Sequence, residues 1–164
     1  MYTNDAVGNT LTVGGRTNTW DTQNRLIGCA YNGHTTNTVY GYDGLRRQST
    51  IDGTTTDYLL DGDTVVQDGD AVNGTFTSTA TYFNGMYRRD DVAGTIRWYV
   101  MDGLGSVVGE VDPSGNLTCN RGFDVYGATR SQTGTPTSKH GFVGKLGHPT
   151  EDESGLVYMR ATAT

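Results

Sequence analysis

Residues that favour turns interrupt this chain so often that no long helix can form. The 164 residues include 24 glycines, and asparagine and aspartate recur between them. No segment places apolar residues at i, i+3, i+4 and i+7, the spacing of an amphipathic helix. The stretches between the turns are rich in β-branched and aromatic residues, which favour strands. We therefore predict an all-β fold, an antiparallel strip of β-hairpins.

Four stretches carry the clearest strand signals. They are residues 75–82, 95–101, 106–111 and 117–125. Between the last two, Asp112-Pro113-Ser114-Gly115 has proline at the second position, where its fixed φ suits a type I or II turn, and a later glycine that accepts a positive φ. The sequence thus predicts consecutive antiparallel hairpins here.

Composition argues against several classes of protein. Hydrophobic residues make up only 34% of the chain, so its ten tyrosines must supply much of the packing. The net charge of −6 argues against a nucleic-acid partner, because that binding needs clustered Lys and Arg. No apolar run is long enough to span a membrane, and no secretory signal is visible. Cys29 and Cys119 are expected to be buried free thiols, although a disulfide between them stays open.

Weak internal repeats run through the first third of the chain. Each places an aromatic residue shortly before an aspartate, with Gly or Asn and then Leu or Arg after it. The aspartates are Asp5, Asp21 and Asp43, 16 and 22 positions apart, which suits one hairpin per repeat in a stacked β array. We expect each aspartate to accept hydrogen bonds from turn amides, and the Gly or Asn to take the strained turn position.

A longer series of motifs occupies the last third of the chain. Its residues are Asp102, Gly103, Leu104, Gly105, Ser106, Val107, Asp124, Tyr126, Gly127, Phe142, Gly144, Lys145, Gly155, Leu156, Tyr158 and Arg160. In its order and spacing this series resembles the core of the YD-repeat (Rhs) family. The pattern differs at the end, where Thr162-Ala163-Thr164 stands in place of the basic, aromatic and Asp-Pro residues that usually follow.

The resemblance implies a β-strip of the kind that longer family members spiral into a closed hollow shell. It divides the chain into degenerate YD repeats over residues 1–72 and a core-like segment, shortened at its C-terminal end, over residues 73–164. Many Rhs proteins resemble capsules that cleave themselves downstream of the core to release a toxic segment. Those downstream motifs are absent from this sequence, so we assign neither self-cleavage nor toxicity to it.

We therefore expect a structural, non-catalytic wall segment of an extracellular or cell-surface assembly. Two versions stay open. In the first, the chain is a fragment of an Rhs toxin-delivery shell, a β-spiral completed by a larger YD-repeat partner; in the second, copies stack end to end through strand edges into an open tube or filament. In the second version the contact residues would be Tyr2, Leu11, Leu156 and Tyr158.

A carbohydrate-binding surface module is the main alternative. Tyr58, Tyr82, Tyr87 and Trp98 could stack on the sugar rings of a cell-surface glycan, but the same aromatic residues could serve as cross-strand pairs that stabilise a sheet.

We predict no catalytic, cofactor or metal site. The glycines of residues 103–109 lack the spacing of a dinucleotide fingerprint, and Ser106 lacks the surroundings of a nucleophile elbow. The Asp-Gly-Asp runs at 61–63 and 68–70 are read as solvated turns because no loop-closing Glu follows at the calcium-loop position. The side chains that could bind a metal lack zinc-like spacing; they are His34, His140, His148, Cys29 and Cys119.

Overall fold

The structure, a computed structural model, describes residues 2–83, 85–151, 154 and 156–158. Fourteen strands form one antiparallel sheet in which the spatial order is the sequence order, and two further strands form a separate pair. The described residues contain no α-helix, and one 3-10 helix spans Gly144–Leu146. The predicted all-β fold is therefore confirmed. Within the same residues, no helix is long and apolar enough to cross a membrane.

Hairpin connections join each strand of the large sheet to the next. The first seven strands are β1 (Thr3–Asn4), β2 (Thr10–Val13), β3 (Arg16–Trp20), β4 (Leu26–Tyr31), β5 (His34–Tyr40), β6 (Arg46–Ile51) and β7 (Thr54–Asp61). The next seven are β8 (Thr64–Val72), β9 (Thr75–Phe83), β10 (Tyr87–Asp90), β11 (Ile96–Met101), β12 (Val107–Val111), β13 (Leu117–Phe123) and β14 (Thr129–Gly134). The separate pair is β15 (Thr150–Glu151) and β16 (Leu156–Val157).

The chain divides into two compact units, with the boundary inside β7. The first unit contains the described residues up to Tyr58 together with Ser154, and the second contains Leu59–Glu151 with residues 156–158. The change of motif predicted between residues 72 and 73 lies within the second unit.

The four stretches with strand signals are strands β9, β11, β12 and β13, each within two residues of the predicted ends. The predicted turn is also present. Asp112 N–H donates to Asn116 O at 3.0 Å, Gly115 N–H donates to Asp112 O at 3.0 Å, and Gly115 has a φ of +86°.

Aspartates organise the turns in the way the repeats predict. Asp5 Oδ1 accepts the backbone N–H groups of Val7 at 3.0 Å and Asn9 at 2.8 Å. Asp21 Oδ1 accepts those of Gln23 and Arg25, both at 2.9 Å. Each carboxylate thereby satisfies two turn amides, which fixes a five-residue connection. The hairpins at the opposite edge of this unit close with two-residue turns of positive φ.

The third repeat departs from the prediction. Gly41, not Asp43, occupies the first turn position, because Gly41 N–H donates to Leu45 O at 2.8 Å and Gly44 N–H donates to Gly41 O at 3.1 Å. Asp43 Oδ1 accepts Leu45 N–H at 3.1 Å. A Cβ at position 41 would lie 2.6 Å from that same oxygen. The Asp43 carboxylate thus accepts one of the hydrogen bonds that an aspartate at position 41 would accept. Counted from the first residue of each turn, the three turns lie 16 and 20 residues apart.

The aromatic residue before each turn attaches one repeat to the previous one. Trp20 Nε1–H donates to Thr10 O at 2.9 Å, and the Tyr40 hydroxyl donates to Leu26 O at 2.9 Å. Thr10 and Leu26 are equivalent, since each is the first residue after a five-residue turn. The aromatic ring therefore packs while its polar group satisfies a backbone carbonyl.

Side chains also connect successive turns directly. Asn9 Nδ2 donates to Asn24 Oδ1 at 2.8 Å. Arg25 Nη1 donates to Gly41 O at 3.0 Å, and its guanidinium lies 5.0 Å from the centre of the Tyr40 ring. Neighbouring turns in the first unit are therefore linked by contacts that repeat with the hairpins.

The buried apolar core is small. The buried apolar side chains among the described residues are Cys29, Ala80, Val107, Cys119, Phe142 and Val143. Both cysteines are free thiols. Most of the sheet is a single layer, so backbone pairing and side-chain hydrogen bonds supply much of its order.

Candidate functional site: the covered face of strands β11 to β13

One part of the second unit has two layers. Residues 135–147, here called the covering segment, lie on one face of strands β11 to β13. Backbone hydrogen bonds attach it to β12 and the preceding turn: Val107 N–H donates to Gly141 O, and Lys145 N–H donates to Gly105 O, both at 2.9 Å. The hydroxyl oxygen of Ser106 accepts Val143 N–H at 3.2 Å.

The covering segment packs closely against glycines of two different turns. A Cβ at Gly127 would lie 2.7 Å from Phe142 Cδ1, and a Cβ at Gly105 would lie 3.0 Å from Lys145 Cβ. The Phe142 ring meets Phe123 edge to face, with ring centres 6.1 Å apart. Three of the core-like motifs, separate in sequence, are therefore parts of one packed element.

The other core-like residues of these turns either accept hydrogen bonds that stabilise the turn or are exposed. Asp102 and Asp124 each accept two turn amides through Oδ1, whereas Leu104 and Tyr126 are exposed. Gly103 lies in the turn after Asp102.

The C-terminal motif is described only in part. Leu156 lies in β16, Tyr158 N–H donates to Pro149 O at 3.0 Å, and Gly155 and Arg160 lie outside the described residues. Because Leu156 pairs with Glu151 of β15, the large sheet ends at β14 and not at the segment named above as an assembly edge. Of the N-terminal pair, Tyr2 precedes β1 and Leu11 lies in β2.

Glu110 is the residue of this region that sequence reasoning missed. Its side chain is 0% exposed. The carboxylate accepts Thr137 N–H at 2.9 and 3.1 Å, the Thr137 hydroxyl at 2.8 Å and Ser138 N–H at 3.1 Å. A buried charge is tolerated when hydrogen bonds satisfy it. The start of the covering segment is thus held by one carboxylate on β12.

A second group of polar contacts holds the middle of the covering segment. The Tyr99 hydroxyl donates to Ser138 Oγ at 2.8 Å, and that oxygen also accepts His140 N–H at 3.1 Å. Arg121 Nη2 donates to His140 O at 2.8 Å. Burial raises the pKa of Tyr99 well above its ordinary value, which keeps the hydroxyl a donor.

Asp68 corrects one prediction. The run Asp68-Gly69-Asp70 lies inside β8 and is not a solvated turn. The Tyr82 hydroxyl donates to Asp68 Oδ2 at 2.6 Å, and the Tyr82 ring meets His140 edge to face with centres 4.6 Å apart. Burial raises the pKa of the Asp68 carboxyl, and the hydrogen bond from Tyr82 opposes this. The run at 61–63 does form a turn, with Gly62 at a φ of +61°.

Of the four aromatic residues considered for sugar binding, the three in the second unit do not form one surface. Tyr58 belongs to the first unit, where its hydroxyl lies 2.6 Å from Ser49 Oγ. Tyr82 packs under the covering segment. Tyr87 and Trp98 share a face of the sheet, with ring centres 4.5 Å apart, and Tyr87 also stacks on Phe83 at 4.4 Å. These rings form the cross-strand row that stabilises a sheet.

The residues considered for catalysis and metal binding are parts of the packing, the turns and the side-chain contacts of the fold. Ser106 is fully buried, and the loop beginning at Gly103 is a hairpin turn. His34 Nδ1 lies 2.6 Å from Asp52 Oδ2. Among the residues with described positions, no three His, Cys, Asp or Glu side chains are close enough to share a metal ion.

Comparison with known proteins gives a likeness of fold. No protein family model matches the chain, and no curated protein matches it. Solved structures do match, and several of them contain Tc toxin chains. The chain matches 9% of a chain in the crystal structure of TcdB2-TccC3-TEV over 94% of its own length, with a TM-score of 0.68 and 15% identity.

A Photorhabdus luminescens Tc holotoxin pore gives a TM-score of 0.63 at 14% identity, over 94% of this chain and 8% of that one. The crystal structure of TcdB2-TccC3-Cdc42 gives 0.63 at 16% identity, over 94% and 9%. The fold is shared with a short stretch of Tc toxin chains. This chain therefore spans less than a tenth of the length of the chains that it matches.

Proposed function

We propose that this chain is a structural, non-catalytic wall segment of a larger β-sheet shell of the toxin-delivery kind, completed by a larger YD-repeat partner outside the cell. One observation carries the proposal: the likeness to Tc toxin chains extends along 94% of the chain while covering only 9% of a much longer one. We infer that a chain with the fold of a short stretch of a much longer chain serves as part of a wall. The side-chain links between successive turns support the proposal, because they stiffen a strip without forming a closed core.

The wall role predicts what the purified native material looks like. Negative-stain electron microscopy, with the intact mass of each chain in the particles, would show hollow particles that contain this chain together with a longer β-sheet chain. A single species of 17.7 kDa that sediments as a monomer at high protein concentration, with no longer chain in the native material, would overturn it.

Stacking into a filament is the second candidate function, and the exposure of strand β14 favours it. All six residues of β14 are exposed, and within the described part of the chain β14 pairs only with β13. An open strand edge can pair with another chain. Regular fibres built only from 17.7 kDa subunits would support this version and would reject the need for a longer partner. A glycan-binding role for the exposed Trp98 side chain stays a prediction, which a glycan array tests.

A further inference from the structure

A groove opens in the second unit beside the covering segment. Its volume is about 390 Å³. Residues 63–66 at the start of β8 line one side, and the 3-10 helix Gly144–Leu146 with Gly147 lines the other. Tyr82, Gly85 and His140 complete the lining. Volumes of this size accommodate small ligands or short peptide segments.

The groove lies where two strands of the sheet separate. Pairing between β8 and β9 extends from Val72↔Thr75 to Gln67↔Thr81. Beyond Thr81, β9 continues to pair with β10, through Tyr82↔Arg88 and Phe83↔Tyr87. The residues of β8 before Gln67 are not paired with any described residue of β9. The two strands therefore form a fork that faces the groove.

The lining shows which part of β8 faces the groove. Successive residues of a strand point to opposite faces of the sheet. Thr64, Val65 and Val66 nevertheless all line the groove. Because three consecutive side chains cannot share one face, the backbone edge of the strand forms part of the lining. A free strand edge is recognised by another backbone in extended conformation.

We propose that the fork binds an extended segment of a partner polypeptide, which adds to the start of β8 as a short strand and packs an apolar side chain against Tyr82. Three residues of β8 span about 10 Å at a rise of ~3.3 Å per residue, so the added strand is short. The side-chain contact gives specificity for an apolar or aromatic residue, because the floor residues Tyr82 and His140 are aromatic and Val66 is aliphatic. This site does not depend on the wall role, since it is complete within the second unit.

A random heptapeptide library, selected against the full 164-residue chain, supplies the probe. The selected peptide is labelled and its affinity is measured by fluorescence anisotropy. Thr64→Trp places an indole at the mouth of the groove and should weaken binding by at least about tenfold. Thr75→Trp is the matched control: Thr75 is also exposed and is also the first residue of a strand after a tight turn. The control should bind as the wild type does.

Methylating each backbone nitrogen of the peptide in turn separates strand addition from side-chain binding alone. Strand addition predicts losses at alternate positions, because only every second N–H of an edge strand faces its partner. Hydrogen exchange of the amides in residues 64–66 should slow when the peptide binds. Failure of the library to enrich any peptide that distinguishes Thr64→Trp from Thr75→Trp, or losses without a two-residue period, would overturn the proposal.

Discussion

The Glu110 carboxylate on β12 accepts hydrogen bonds from both the backbone and the side chain of Thr137. The carboxylate accepts Thr137 N–H at 2.9 Å and the Thr137 hydroxyl at 2.8 Å, in a fully buried position. These two residues are 27 positions apart, so the contact closes the covering segment onto the sheet. It is the contact that holds the start of residues 135–147, whose middle and end are held by Tyr99, Arg121 and the backbone bonds of Val107 and Lys145.

Glu110→Gln tests this attachment with almost no change of shape. The amide keeps one acceptor but turns an NH₂ group toward donors, which leaves buried N–H groups unsatisfied. We expect a loss of about 2 kcal/mol in the free energy of unfolding, measured by urea denaturation. Asp70→Asn is the control, because Asp70 is an exposed carboxylate on β8, and its cost should stay within about 0.5 kcal/mol. Equal losses in the two variants would contradict the role of Glu110.

Gly127 and Gly115 allow a matched comparison of turn strain with packing. Both occupy the same position of a five-residue turn, with φ of +87° and +86°. A Cβ at Gly115 would meet nothing within 4 Å, whereas a Cβ at Gly127 would lie 2.7 Å from Phe142 Cδ1. Alanine at position 115 should cost about 1 kcal/mol from the backbone alone.

Gly127→Ala should cost about 2 kcal/mol more than Gly115→Ala, since the added methyl group forces Phe142 out of its place. Urea denaturation of both variants gives the difference. If the two alanine variants lose the same stability, the covering segment does not pack on this turn as described.

The sequence predicted the local features of this fold better than its tertiary contacts. Strands such as β9 were recognisable because β-branched and aromatic residues run between turn residues, and the roles of Asp5 and Asp21 followed from the hydrogen-bonding habit of aspartate. Such features depend on neighbours a few residues away, which a sequence shows directly.

Two exceptions arise where distant residues meet. Glu110 gave no signal, because its partners come from a loop without regular structure. Asp68 was read as a solvated turn residue, although it is half-buried within β8 and its carboxylate accepts a hydrogen bond from Tyr82 of the next strand. Neither periodicity nor turn chemistry encodes these two contacts. The third exception is local: Asp43 was placed at the first position of its turn, which Gly41 occupies.

The Gly41 turn predicts a coupled pair of substitutions. Gly41→Asp with Asp43→Ser creates the Asp-x-Ser-Gly pattern found at residues 112–115, in which Ser114 stands two places after Asp112. We expect the double variant to be more stable than the wild type by about 0.5 to 1 kcal/mol, because a glycine is removed from the unfolded chain and the turn regains both acceptor contacts.

Each single change should be destabilising. Gly41→Asp places a carboxylate beside that of Asp43, whose Oδ1 would lie 2.6 Å from the new Cβ, and Asp43→Ser removes the acceptor of Leu45 N–H. A double-mutant cycle on thermal or urea unfolding measures the coupling. Additive effects would show that Asp43 does not substitute for a carboxylate at position 41.

Asp68 and Asp112 predict opposite dependences of stability on pH. Burial raises the pKa of the Asp68 carboxyl, so its contribution to stability is complete below the unfolded pKa and is lost as pH rises through the folded pKa. Hydrogen bonds from the backbone and side chain of Asn116 lower the pKa of Asp112. Its contribution is present above the unfolded pKa and is lost as pH falls through the folded pKa.

Asn substitutions at the two positions remove these contributions. The stability of Asp68→Asn relative to the wild type should rise with pH between the unfolded and the raised folded pKa, and then stay constant. For Asp112→Asn the relative stability should fall as pH rises from the lowered folded pKa to the unfolded one. Urea denaturation at a series of pH values below neutrality measures both slopes. Slopes of the same sign would contradict a raised pKa of the Asp68 carboxyl.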